Sequence, residues 1–574
     1  EARAVEARLL GHPDRAQEIL SRLLARYPDD VEARVELAEA YGEQGSLDRA
    51  IAALQAAVLL APHHPRAWFL LGKYSILAGD SRHAVDEHLV RALVVQNELG
   101  SDQGRADVLN AFGVAYRNLG EMDRAAESYA QAAALRKKIG DERGYATSLR
   151  NLANIHTVRG EYGAAEKQLA EALAILRRLG DGPGTADLEN EIGVVAEQKG
   201  SYEEALAHYR QALRSRRDFG NDLGLAQSFG NVGFACYLLG RYDDALVYWR
   251  QGLDLAKKSG DPRGIVFATQ NLGQLELARG EWDDAVKSFL TALRSSRELG
   301  LKEAVAVSLG NLGRLAQYQG RPGAALASYG EALAVLRDLG DRRGLAEFTL
   351  AEAEALLELG MTDAAAERLR AAAALLTEGK NREQQAELER LRGEELLARG
   401  DRPSAAAALR RAVAEATASH GVVELLTARL SAAHVAHAAG IAGIASLERL
   451  RAEADALGNA RLRLAAAELV AAAALAAGDL GRAERAARTG LEQAAACGGF
   501  AGAWRLHLLL ARALERGGRP EATTQRRRAA EEVARVSRDL TPEQRQFFTR
   551  KMEVENGTEQ GGARARPREL GRHG

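Results

Sequence analysis

The sequence predicts an all-α, right-handed solenoid of roughly fourteen helical hairpins, and three observations predict it. The first is a unit of 40 residues written six times between Arg105 and Gly344, with no gap in register. Gly120, Gly160, Gly200, Gly240, Gly280 and Gly320 hold one phase, and Gly140, Gly180, Gly220, Gly260, Gly300 and Gly340 lie half a period away. The second is a small residue at a third phase: Ala125, Ala165, Ala205, Ala245, Ala285 and Ala325. The third is helical spacing inside each half-unit. Phe229, Val232, Gly233 and Cys236 recur at three and four residues, which is one face of a helix.

In chain order, residues 1–105 use a shorter unit. Residues 1–30 read as one unit cut at its front and closed by Tyr27-Pro28. Val31 to His64 is a 34-residue unit with Leu37, Ala38, Tyr41, Gly45, Ala50, Leu54, Ala57 and Pro62, and Pro65 to Gly104 continues it through Trp68, Leu71, Gly72, Gly79 and Ala84. Residues 106–345 are the central array. In it each half-unit ends at a glycine, which suits a helix C-terminus. The aspartate after it, as in Gly260-Asp261, can cap the next helix. Tyr129, Tyr209, Trp249, Phe289 and Tyr329 share one phase and are expected to fill the space between units. Residues 346–540 keep the period through Gly360, Gly400 and Gly440, but alanine replaces the aromatics, and the array is expected to be softer there. Thr541-Pro542-Glu543 opens a short helix, 541–555, expected to cap the last apolar face. From residue 556 to 574 the Gly-, Arg- and Glu-rich tail reads as disordered.

Composition excludes several functions. Lys and Arg total 77 against 79 Asp and Glu, so the net charge of −2 argues against nucleic acid as partner. No apolar run is long enough for a bilayer span, so no membrane partner is expected. Two cysteines, Cys236 and Cys497, are too few for a disulfide framework, which points to a reducing, cytoplasmic setting. The first residue is Glu1 and no signal peptide is visible, so the chain reads as a segment of a longer protein.

Catalytic signatures are missing. There is no P-loop, H-E-x-x-H or G-x-S-x-G pattern, so the chain reads as a non-enzyme with no cofactor and no metal. Gly180-Asp181-Gly182-Pro183-Gly184 follows a helix rather than a strand and reads as an inter-repeat turn. His63-His64 and the His434/His437 pair lack companions at metal-ligand spacing. Cys236 occupies a core phase, and Asn556-Gly557-Thr558 matches a glycosylation acceptor by chance.

The small–large spacing with a closing proline resembles the tetratricopeptide repeat, whose unit is 34 residues. The 40-residue units resemble those of kinesin light chains, LGN-type adaptors and bacterial signalling regulators. The resemblance covers about 1–535 and implies a protein-interaction scaffold or sensor segment of a larger bacterial signalling protein. It also implies which residues face the groove. Asn151, Asn231, Asn271 and Asn311 share one phase, although Asn is a poor helix former. At that phase the amide offers a donor and an acceptor to a peptide main chain. Neighbouring groove phases carry Arg150, Asn190 and Gln270, then Asn154, Phe234, Gln274 and Arg314, with Tyr237 and Phe267 adding apolar surface. The partner implied is a protein or peptide segment. The groove lacks the stacked basic residues of carboxylate-clamp arrays, which argues against a chaperone C-terminus. Bracing between repeats is the competing reading of the asparagines. An assembly spacer that self-associates, without a groove ligand, is the competing reading of the whole chain. An upstream catalytic domain in the same chain would make the array a regulatory arm.

Overall fold

The computed structural model describes residues 2–220, 222–376, 381–441 and 443–556. Among them every regular element is helical and none is a strand. The helices pair along the chain, from Ala2–Leu9 with Pro13–Arg26 to Ala503–Arg516 with Glu521–Val536. The tail after Asn556 lies outside the described residues. No described helix is long and apolar enough to cross a membrane.

The Gly-Asp pairs do what their chemistry allows. Gly140 ends helix Met122–Ile139 at φ 74, a left-handed conformation that costs glycine little. Asp141 then caps helix Glu142–Val158, its Oδ1 accepting from Gly144 N at 2.9 Å. Asp181 and Asp341 repeat the cap on Gly184 and Gly344. The Gly180–Gly184 stretch is therefore an inter-repeat junction, a turn at Gly180-Asp181 that runs into helix Gly182–Lys199.

Within each hairpin a small residue on the first helix seats a large one on the second. A Cβ at Gly113, Gly233, Gly273 or Gly313 would overlap the ring of Tyr129, Trp249, Phe289 or Tyr329. These rings are 0–1% exposed. The aromatics thus pack inside their own hairpin, against the glycine sixteen residues earlier, and Tyr329 also stacks on Phe348 of the next unit. Residues 426–522 substitute a leucine- and alanine-rich core built on Leu447, Leu462, Val470 and Leu510.

The chain divides into two compact units, 1–195 and 196–574. In the first, the helix pairing with Pro65–Leu77 is distorted: Ser81–His83 runs into a π turn, Ala84–His88, before Leu89–Glu98 continues. In the second unit, the chain comes round and packs on itself. A Cβ at Gly200, Gly240, Gly280, Gly320 or Gly360 would meet Ser419, Leu457, Cys497, Ala501 or Lys551 respectively. Hydrogen bonds join the same edges: Ala501 N–H to Tyr318 O at 2.8 Å, Asn459 Nδ2 to Tyr242 OH at 3.1 Å, and Ala324 N–H to Asp539 Oδ2 at 3.1 Å. The opposite edge is open, because nothing lies within 4 Å of a Cβ at Gly220, Gly260, Gly300 or Gly340. Helix Pro542–Asn556 starts with a reciprocal cap between Thr541 and Gln544. Its Phe548 joins Leu359, Val536 and Leu540 in one small core.

Candidate partner-binding surface

The residues singled out in the first unit form a polar cluster on first helices Glu142–Val158 and Gly182–Lys199. Asn151 Nδ2 donates to Asn110 Oδ1 at 3.0 Å, one repeat back. Arg150 Nε lies 3.7 Å from Glu191 Oε1, and Asn154 hydrogen-bonds the same carboxyl. Asn190 is buried beside it. Burial pushes the Glu191 carboxyl up to about 7, against the opposing pull of Arg150. Its Oε2 is buried without a hydrogen-bond partner among the described residues. Glu191 occupies the asparagine phase, so the phase carries a strained acceptor here.

In the second unit the candidates separate into bracing and accessible groups. Gln270 Nε2 donates to Ala304 O at 2.6 Å and to Ser308 Oγ at 2.8 Å, which ties consecutive units together. Asn311 is 2% exposed, and its Nδ2 has no partner among the described residues. Asn231, Asn271 and Gln274 are half-buried. Phe234 stacks on Tyr237 with centroids 6.5 Å apart, and Tyr237 continues onto Tyr242 at 5.5 Å and Trp249 at 5.7 Å. Phe267 is 49% exposed. Arg314 pairs with Glu347 at 2.8 Å and lies over the Phe348 ring.

The charged surface continues past Arg314. Arg390, 3% exposed, pairs with Glu354 and Glu394 at 2.7 Å each and with Glu387. Arg461 reaches over from the following turn to Glu354 at 3.2 Å and stacks on Tyr318. Burial alone would raise Glu354, but Arg461 and Arg390 hold it well below the usual carboxylate range. Glu358 moves the other way, raised by burial and then by the Glu354 charge. Glu383 and Glu424 are also raised by burial, and Glu424 is close enough to Tyr237 and Arg314 to act on both. First helices several hairpins apart therefore face one another across a narrow, charged interior. The signal in the sequence was available: Arg314, Glu354, Arg390 and Glu394 lie near the asparagine phase of their own units.

Other sequence candidates have ordinary explanations. His63 pairs with Glu98 of the following unit at 3.0 Å, and His64 with Glu32 of its own unit at 2.9 Å. Cys236 is buried, and burial pushes its thiol up to about 11, which removes thiolate reactivity.

Family profiles described as tetratricopeptide repeat match residues 7–74, 104–178, 144–218, 184–258 and 265–338. No curated protein matches the chain. Among solved structures, MamA is 22% identical and covers 31% of this chain and 96% of its own, with a TM-score of 0.27. BtubC from P. vanneervenii is 21% identical over 40% of this chain and 93% of its own, with a TM-score of 0.34. A Rap protein complexed with Competence and Sporulation Factor is 17% identical over 62% of this chain and 99% of its own, with a TM-score of 0.45.

Proposed function

The chain belongs to the tetratricopeptide repeat family, and from that premise we propose that it is an interaction scaffold whose inner face takes an extended segment of a protein partner. The observation that carries this reading is the charged interior of residues 196–574, where Glu347, Glu354, Glu358, Glu383, Glu387, Glu394 and Glu424 outnumber Arg314, Arg390, Arg461, Arg505 and Lys551. A spacer has no need of ionisable groups held against their solvation preference. The acidic excess favours a segment carrying Lys or Arg, with Phe234, Tyr237 and Phe267 as the apolar contacts and Asn231, Asn271, Gln274 and Arg314 as the polar ones. In the first unit, Asn151, Arg150, Asn154 and Asn190 present a separate polar stretch. The setting proposed is the cytoplasm of a bacterium, within a larger regulatory protein, and the role is binding rather than catalysis.

The bracing reading keeps support at particular positions. Asn151 spends its amide on Asn110, and Gln270 spends its own on the next unit. These two are therefore proposed to fix the spacing of the array more than to touch the ligand.

The test is a displayed library of random extended peptides selected against the full chain. Enriched peptides should be rich in Lys and Arg, to pair with the interior carboxylates. Each should lose affinity in the Asn231→Ala/Asn271→Ala variant while the melting of that variant is unchanged. Undiminished binding by that variant would move the site off the inner face, and an empty selection would favour the spacer.

A further inference from the structure

The π turn at Ala84–His88 gathers three metal-ligating side chains, and we propose that His83, Glu87 and His88 bind a divalent transition-metal ion of the zinc class. In an α-helix, at about 100° per residue, a side chain five positions on points roughly 140° away. A π turn closes bonds between residues five apart and so stacks them. Here Leu89 N–H donates to Ala84 O, five residues back, and His83 and His88 come to 4.4 Å between ring centroids. Glu87 Oε2 lies 3.5 Å from His83 Nε2. One ligand atom from each of the three residues lies within 4.8 Å of the others. Ligands around tetrahedral zinc sit about 3.3 Å apart, for metal–nitrogen bonds near 2.0–2.1 Å. The exposed His83 and Glu87 can close that difference by turning.

His88 is the fixed member. It is 4% exposed, and its Nδ1 faces Ser75 Oγ at 3.0 Å, which leaves Nε2 to ligate. Such a partner on the far ring nitrogen orients an imidazole for a metal. The backbone is anchored from below, since Ala84, Val85 and Leu89 are in the core and Gly72 lets helix Pro65–Leu77 approach Leu89 and His88 closely. Two imidazoles and a carboxylate with the remaining position open to water form a three-ligand set that suits zinc, and imidazole ligands select it over calcium or magnesium.

The experiment is a titration of the tag-free full chain with Co²⁺, followed by its visible absorption, and then displacement by Zn²⁺. One equivalent should bind with tetrahedral or five-coordinate absorption. His83→Ala, which changes an exposed side chain, should weaken that equivalent at least tenfold with melting unchanged in the absence of metal. Ser75→Ala should weaken it about 10–100-fold through the loss of orientation. Zn²⁺ should raise the melting temperature of the wild type and not of His83→Ala. Persistence of the tightest Co²⁺ equivalent in both His83→Ala and Glu87→Gln, or no binding by the wild type at micromolar Co²⁺, would overturn the proposal.

Discussion

Glu191 shows how one residue in a repeat phase changes the chemistry of its surroundings. Its carboxyl stands at about 7 in the folded chain against an ordinary 4.5, so folding binds a proton more tightly than the unfolded chain does. The sign follows from linkage: stability falls as pH rises from about 4.5 through 7, and below that window the cost is absent. Glu191→Gln should therefore be more stable than the wild type at pH 8, with the gap closing toward pH 5. Urea unfolding at both pH values measures it, and a gap independent of pH would reject the assignment. Arg390 sits in the opposite situation, buried among Glu354, Glu387 and Glu394. Replacing it with alanine leaves carboxylates uncompensated and should cost about 3–5 kcal/mol, whereas Arg390→Met with Glu354→Gln and Glu387→Gln should recover part of that loss. Glu191 lies at the asparagine phase and Arg390 one residue before it. The period does not reveal which charges meet there, because the partners come from other units.

At the scale of the hairpin, the recurring glycine and the recurring ring are one device. Trp249 is 1% exposed, covers Gly233, and donates from Nε1 to Gly230 O at 3.0 Å. Trp249→Ala should cost about 3–5 kcal/mol, mainly through the cavity it leaves. Gly233→Ala should also destabilise, because the added Cβ overlaps the indole and the tightly packed hairpin must open to admit it. Hydrogen exchange should show the loss of protection centred on helices Asp222–Leu238 and Tyr242–Ser259. Uniform loss across residues 196–556 would contradict a repeat-local effect. The pairing was legible in part. The aromatic phase and the glycine phase both stand out in the sequence, but the ring's seat inside its own hairpin depends on how the two helices cross. The π turn was not legible, since Ser81 to Glu98 reads as an ordinary helix and its distortion is set by packing against Pro65–Leu77.

At the scale of the molecule, the Ala-rich C-terminal half gains contacts that its own composition does not suggest. Arg535, Asn459 and Lys551 bond groups 194 to 217 residues away in sequence. Truncation after Leu540 should uncover Leu359, Val536 and Leu540, and exchange should accelerate at residues 357–361 and 533–540. Exchange at residues 106–195 should stay as it was. Unchanged protection at 357–361 would show that the terminal helix contributes nothing to that edge. The same contacts bear on the expectation that residues 346–540 are softer, because the earlier turn supports them. Comparing exchange at 460–496 between the wild type and Tyr242→Phe, which removes the hydroxyl that accepts from Asn459 Nδ2, measures how much of their protection that support provides.

The sequence by itself determined the all-helical class, the order of the hairpins, the caps at the Gly-Asp turns and the family. Those follow from local spacing, repeated often enough that each unit confirms the next, and a solenoid unit packs mainly on its sequence neighbours. The tertiary structure alone decided which edge of the ribbon is covered and which asparagines brace. It also decided which acidic and basic side chains face one another, and where three ligands gather on a distorted helix. Each of those is a meeting of residues far apart in sequence, or a departure from ideal helix geometry under packing. A local period carries the angle at which a side chain leaves its helix, and it carries nothing about what the chain brings round to meet it.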